Sequence, residues 1–293
     1  MNIIFVTTPK GGAGKTTVSE LLAGACELDG QRVVVLDADA GNRGYRRRCG
    51  PASAISLDWG ADPATAERLV KDRLARADTI IVDFGANLLA SNTSILELLH
   101  EIQRILSARG YRIWTMAVAS PNAPGTDALV ESMIDRFGQV GTVIIVENDI
   151  DGSGSFPIGF AAASVARVRL GRIEPGIVAA RMQRQEPLAA VLTKPDPDYT
   201  IATAMIARTL LVFMSQKPLS DLVGRSVPDR LGPIASACNR SHYFAINQLA
   251  QASDTAIDAN RRMHDAVLRL NYCSADDAWA TILAYRAARA ACV

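Results

Sequence analysis

The sequence has no excess of charge of either sign and no apolar run long enough to cross a bilayer. Its 31 basic and 30 acidic side chains leave a net charge of +1. Attraction to a polyanion must therefore come from a local basic patch and not from global charge. The longest apolar stretch, residues 201–214, is cut by Arg208 and falls short of the roughly 20 residues a spanning helix needs. The early run Ile3-Ile4-Phe5-Val6 has no basic flank and is too short for a secretory signal. The five cysteines, Cys26, Cys49, Cys238, Cys273 and Cys292, form no CxxC pair, so no zinc ribbon or iron–sulfur site is recognisable. His100, His242 and His264 are isolated from one another, and no repeat or low-complexity tract stands out. A reduced, cytoplasmic setting is the expectation.

What is present is a chain that can bury a core. Of the 293 residues, 49% are hydrophobic and 21% charged, a balance that excludes a disordered protein. Apolar, β-rich runs at 3–7, 32–36, 79–82, 112–118, 142–146 and 168–173 alternate with helix-length segments at 15–28, 63–77, 94–109, 127–137 and 176–184. Strands that read as almost continuously apolar are covered on both faces. The alternation predicts βαβ units and a doubly wound α/β domain with a mostly parallel sheet over residues 1–215. From 216 to 293 the pattern changes to helices alone, such as 243–270 and 275–290, with breaks near Pro228, Pro233 and Asn271. This reads as a C-terminal all-helical extension.

The strongest local signal is Lys10-Gly11-Gly12-Ala13-Gly14-Lys15-Thr16-Thr17, between the first strand and the first helix. Glycines let the backbone curl so that N–H groups face phosphate oxygens, and the helix N-terminus adds partial positive charge. Lys15 is placed to reach the β- and γ-phosphates of a nucleotide, and the Thr16 hydroxyl to ligate Mg²⁺. Two strands end in acids: Val35-Leu36-Asp37-Ala38-Asp39 and Ile80-Ile81-Val82-Asp83. In open α/β sheets the carboxyl ends of strands line the ligand crevice, so both reach the edge that bears the loop. An aspartate at a strand end also serves as a helix cap.

The loop with its first lysine resembles the deviant Walker A motif of the ParA/MinD family of P-loop ATPases. The resemblance covers residues 1 to about 215 and implies a Mg²⁺-dependent ATPase that forms a homodimer around two ATP molecules. It implies that Lys10 reaches the partner's nucleotide, where a second cation stabilises charge developing on the transferring phosphoryl group. It implies that Asp39 orients the attacking water or helps hold the metal, and that Asp83 is the Walker B aspartate. Asn148, just after the strand at 142–146, takes the place of the family's adenine-binding asparagine. No Asn-Lys-x-Asp or Thr-Lys-x-Asp guanine motif is present, which favours ATP. The Pro-Gln that follows the family's second aspartate is Ala40-Gly41 here.

The short span between Asp39 and Asp83, with nine residues ahead of Lys10, is similar to the compact plasmid-partition ParA proteins, and the segment from Asp83 through Gly110-Tyr111-Arg112 to Glu147-Asn148 resembles the TraL and StbB types of conjugative plasmids. That likeness implies plasmid or nucleoid DNA as a non-specific partner and an adaptor protein that stimulates slow hydrolysis. Candidate DNA-binding arginines are Arg43, Arg46, Arg47 and Arg48, and Arg167, Arg169, Arg172, Arg181 and Arg184; a solvated basic face is the plainer alternative. A membrane-associated positioning ATPase of the MinD type and a metabolic ligase on the same scaffold remain open. The weakly apolar final helix, with Trp279, Ile282 and Leu283, argues against membrane anchoring.

Overall fold

In the computed structural model the described residues are 1–8, 10–39, 41–57, 77–86, 93–121, 126–156, 165–173, 175–194, 200–224 and 227–235. β-branched runs form the centre of the sheet. Strand β1 (Asn2–Thr7) pairs in parallel with β4 (Thr79–Phe84) on one side and β5 (Arg112–Ala119) on the other. With β2 (Val33–Ala38), β3 (Ile55–Ser56), β6 (Thr142–Asn148) and β7 (Ala166–Leu170), they make a seven-stranded parallel sheet in the order β3-β2-β4-β1-β5-β6-β7.

Side chains alternate across each strand, and both faces are covered. Ile4 and Val6 face helices α1 (Lys15–Leu28) and α2 (Gly44–Cys49) together with the later helices α5 (Pro175–Arg184), α6 (Leu188–Thr193) and α7 (Thr200–Met214). Ile3 and Phe5 face α3 (Thr93–Ala108) and α4 (Thr126–Phe137), through Leu99, Ile102, Val130 and Phe137. Each fully buried Leu, Ile or Phe contributes roughly 1.5–3 kcal/mol of transfer free energy, so the two layers fix the sheet and hence the edge that carries the loops. The doubly wound parallel architecture expected from the sequence is present.

Local differences have physical reasons. The last strand lies at Ala166–Leu170, not 168–173, because Gly171 interrupts it. The two-residue β3 and the six-residue α2 are too short to show a period. Residues 227–235 form a helix, α8, that contains both Pro228 and Pro233. Pro228 lies in its first turn, where a missing N–H is harmless. Leu219, Leu222, Val227 and Leu231 join the same core as Phe213, so packing continues past Met214. The expected helices at 63–77, 243–270 and 275–290 fall wholly or almost wholly outside the described residues. No helix among the described residues is long and apolar enough to cross a membrane.

Candidate nucleotide site

Because all seven strands are parallel, the carboxyl ends of β1, β2, β4 and β6 share one edge. The loop after β1 turns through two left-handed glycines, Gly12 (φ 73°) and Gly14 (φ 92°). Gly14 is also the N-cap of α1, and no side chain caps that helix. Its first-turn N–H groups are thus directed at whatever anion the loop accepts. A Cβ at Gly14 would collide with the Asn148 amide, so both backbone angle and space demand glycine there.

Lys15 is 8% exposed, and its Nζ donates to the Lys10 carbonyl at 2.9 Å. Burial lowers its pKa, while the nearby Asp83 and Asp39 carboxylates oppose that shift. The ammonium therefore lies over its own loop, within the field of both acids.

Asp83 is the centre of the site. It is 1% exposed, and its two oxygens accept from Thr16 Oγ1 at 2.9 Å and from Ser19 Oγ at 2.8 Å. Burial pushes its carboxyl up to about 7, against the two hydroxyl donors and Lys15, with Asp37 adding to the rise. Asp37 stands opposite it in register. Asp37 is itself spent on backbone: it accepts from the N–H of Asp39 at 3.2 Å and of Arg46 at 3.1 Å. Burial raises its pKa, and these N–H donors oppose it. Asp39 accepts from the Asn42 N–H at 3.2 Å. A Cβ at Gly85 would lie 2.6 Å from Asp39 Oδ1. The segments after β2 and β4 therefore touch, and only glycine at 85 lets Asp39 in.

The residues of the loop, Asp39 and Asp83 thus converge, while Lys10 is partly exposed at the loop's rim. Asn148 also joins them: it is 6% exposed and its Nδ2 donates to the Ala13 carbonyl at 2.8 Å. The donor set fits a magnesium nucleotide, since hydroxyl and carboxylate oxygens are the hard ligands Mg²⁺ prefers. Backbone amides and a lysine beside them suit phosphate.

The arginine run does not form one basic face. Arg46 donates through Nε to the Pro51 carbonyl at 3.1 Å and through Nη1 to Ser56 Oγ. Arg48 turns inward, donating to Thr17 Oγ1 at 2.8 Å. Arg43 and Arg47 are the exposed members. In the later group, Arg167, Arg169, Arg181 and Arg184 each pair with an acid: Glu147, Asp149, Glu20 and Glu186. Sequence reading missed Ser19, although its place one turn beyond Thr16 sets it on the same helix face. It also missed the Glu20, Arg48 and Arg181 group, for which no local signal exists.

A glycine cradle between strand and helix, closed by a buried carboxylate at the end of β4, defines a P-loop nucleotide-binding fold. The CobQ/CobB/MinD/ParA nucleotide-binding domain matches residues 4–230, and the chain belongs to that family. Over 75 residues it is 41% identical to the septum site-determining protein MinD of Synechocystis sp. (strain ATCC 27184 / PCC 6803 / Kazusa), which is 24% of this chain and 28% of that relative. Among solved structures it resembles the septum site-determining protein MinD complexed with Mg-ADP from Pyrococcus horikoshii OT3. That likeness has 17% identity and a TM-score of 0.51 over 76% of this chain and 99% of the other. The MinC:MinD cell division protein complex of Aquifex aeolicus gives 15% identity and a TM-score of 0.50 over 74% and 97%. At these identities the likeness is one of fold.

Proposed function

We propose that this chain is a Mg²⁺-dependent ATPase that works as an ATP-driven dimerisation switch. The observation that carries the reading is the convergence of Lys15, Thr16 and the buried Asp83 carboxylate on the head of α1, with Asp39 pressed against Gly85. Gly11, Gly12, Ala13, Gly14 and Thr17 hold the phosphates through the loop and the first helical turn. Thr16 and Asp83 hold the metal, which supplies charge neutralisation at the terminal phosphate. Asp39 orients water or assists the metal. Asn148, with Nδ2 bonded to the loop, keeps Oδ1 to accept from the exocyclic amine of adenine. Lys10 reaches across to a second copy. Because Asp39 and Gly85 are in contact, a γ-phosphate that moves one of these segments moves the other. The presence of Mg-ADP in the Pyrococcus MinD structure supports this ligand class.

The cargo we assign is plasmid or nucleoid DNA, in partition or conjugative transfer, with an adaptor that stimulates hydrolysis. A second reading, a MinD-type positioning ATPase, is favoured by the 41% identical segment and by the MinC:MinD complex among the structural neighbours. We also propose a catalytic unit at 1–215 and a helical extension at 216–293 whose first residues, through Leu219, Leu222, Val227 and Leu231, pack on the core of that unit.

Light scattering after size exclusion tests the switch. ATP should give a dimer, ADP a monomer, and Lys10→Ala with ATP a monomer. A monomer under every nucleotide removes the sandwich dimer. Salt-sensitive, ATP-dependent retention of duplex DNA supports the first cargo; ATP-dependent sedimentation with anionic vesicles supports the second.

A further inference from the structure

A second polar assembly sits beside Thr17, about 100° round α1 from Thr16, and the reading above assigns it no task. Helix α2 runs along this flank. At its start, a Cβ on Gly44 would lie 2.9 Å from Thr16 Oγ1. At its end, Arg48 Nη1 donates to Thr17 Oγ1 at 2.8 Å. The same Nη1 lies 3.7 Å from Glu20, which is one turn after Thr17 on α1 and is buried. Glu20 in turn forms an ion pair with Arg181 Nε at 2.6 Å. Arg181 is 5% exposed and also donates to the Glu186 carbonyl and, at 3.4 Å, to Cys49 Sγ. The guanidinium of Arg48 is thus held by a carboxylate that is itself held from α5.

This geometry fixes the direction of one proton. A hydroxyl has a single hydrogen, and arginine can only donate. By accepting from Arg48, Thr17 leaves its own O–H free to be donated. The usual resort of a helical threonine is the carbonyl four residues back, here Ala13, which has one of its two lone pairs committed to Asn148. A phosphate oxygen at the head of α1 carries charge and is a stronger acceptor for the Thr17 hydrogen than that half-used carbonyl.

We propose that Arg48 is a positioning residue for nucleotide binding: it holds the Thr17 hydroxyl as a donor to a phosphate oxygen, and the Glu20–Arg181 pair keeps the Arg48 guanidinium in place. The proposal rests on the nucleotide reading above. It also ties α2, which follows Asp39 by a few residues, to the phosphate loop.

The test is a double-mutant cycle read as the Kd for Mg-ADP by calorimetry, with nucleotide-free melting curves recorded for every variant. Arg48→Gln and Thr17→Val should each weaken binding about tenfold. The double variant should lose no more than either single one, and Thr17→Ser should bind like wild type. If Arg48→Gln does not fold, Arg48→Lys keeps the charge beside Glu20 and should show a partial loss that vanishes in the Thr17→Val background. Unchanged affinity in Arg48→Gln, or a loss that adds in full to that of Thr17→Val, overturns the proposal. Failure of wild type to bind Mg-ADP at all overturns the nucleotide reading, and the proposal with it.

Discussion

The two flanks of α1 treat charge in opposite ways. On the Asp83 flank, a buried carboxylate meets two hydroxyls and faces a second buried acid, Asp37; burial pushes it up to about 7. Among the described residues no cation forms an ion pair with it: Lys15 is bonded to the Lys10 carbonyl and acts on Asp83 through its field alone. On the Thr17 flank, Glu20 is enclosed by Arg181 and Arg48 from two other elements. Burial raises the Glu20 pKa, and both arginines oppose the rise. One flank leaves a buried carboxylate open to the cation proposed for it; the other is closed on itself beside the first turn of the helix. On the proposed reading Asp83 belongs to the site, and Glu20 to its scaffold.

That contrast can be broken by stability measurements without nucleotide. Glu20→Ala should destabilise most, by about 3 kcal/mol, because it strands the buried Arg181 without its carboxylate. Asp83→Asn should stay within about 1 kcal/mol of wild type, since an amide still accepts from a hydroxyl and removes repulsion from Asp37. Urea midpoints decide the point, and equal losses would erase the distinction. Gly85→Ala comes next. Its methyl would sit 2.6 Å from Asp39 Oδ1, so a loss of about 1–3 kcal/mol is expected from overpacking, with Asp39 displaced. A variant as stable as wild type would show that Asp39 moves freely, and that the two segments are not coupled.

The smallest effect lies far from both flanks. Exposed Asp78 accepts two bonds from the Arg32 guanidinium at 3.0 Å each, and a third from the Arg32 N–H. The side-chain bond to Arg32 leads in holding its carboxyl down at about 2. A depressed folded pKa gives stability that is full above the unfolded value of about 3.9 and is lost as pH falls through about 2. Asp78→Asn should therefore lower the urea midpoint slightly and evenly from pH 7 to 5, and the gap should shrink below about pH 4. High salt should narrow it. A gap that widens in acid would contradict the assignment.

The parts legible in the sequence are those whose cause is local. Runs such as Ile80-Ile81-Val82, alternating with helix-length segments, read as strands covered on both faces, and their parallel order then sends Asp39, Asp83 and Asn148 to the loop's edge. The glycine–lysine–threonine loop announces its chemistry in eight residues. What stayed hidden depends on distant partners. Arg48 lies among four basic residues that read as a surface patch, yet Thr17 and Glu20 draw it inward. Asn148 looks like a base contact, and its bond to Ala13 follows only from how closely β6 approaches Gly14. The touch between Gly85 and Asp39 needs β2 and β4 side by side, which no spacing reveals.

On the proposed reading the loop, Lys15 and the Asp83 carboxylate together bind a magnesium nucleotide. The most direct measurement is a calorimetric titration of ADP into wild type with and without Mg²⁺, repeated with Lys15→Ala. Saturable binding that Mg²⁺ tightens is expected, with a loss on the order of a hundredfold or more in Lys15→Ala. Equal affinity in wild type and Lys15→Ala, or no binding in either, would contradict it.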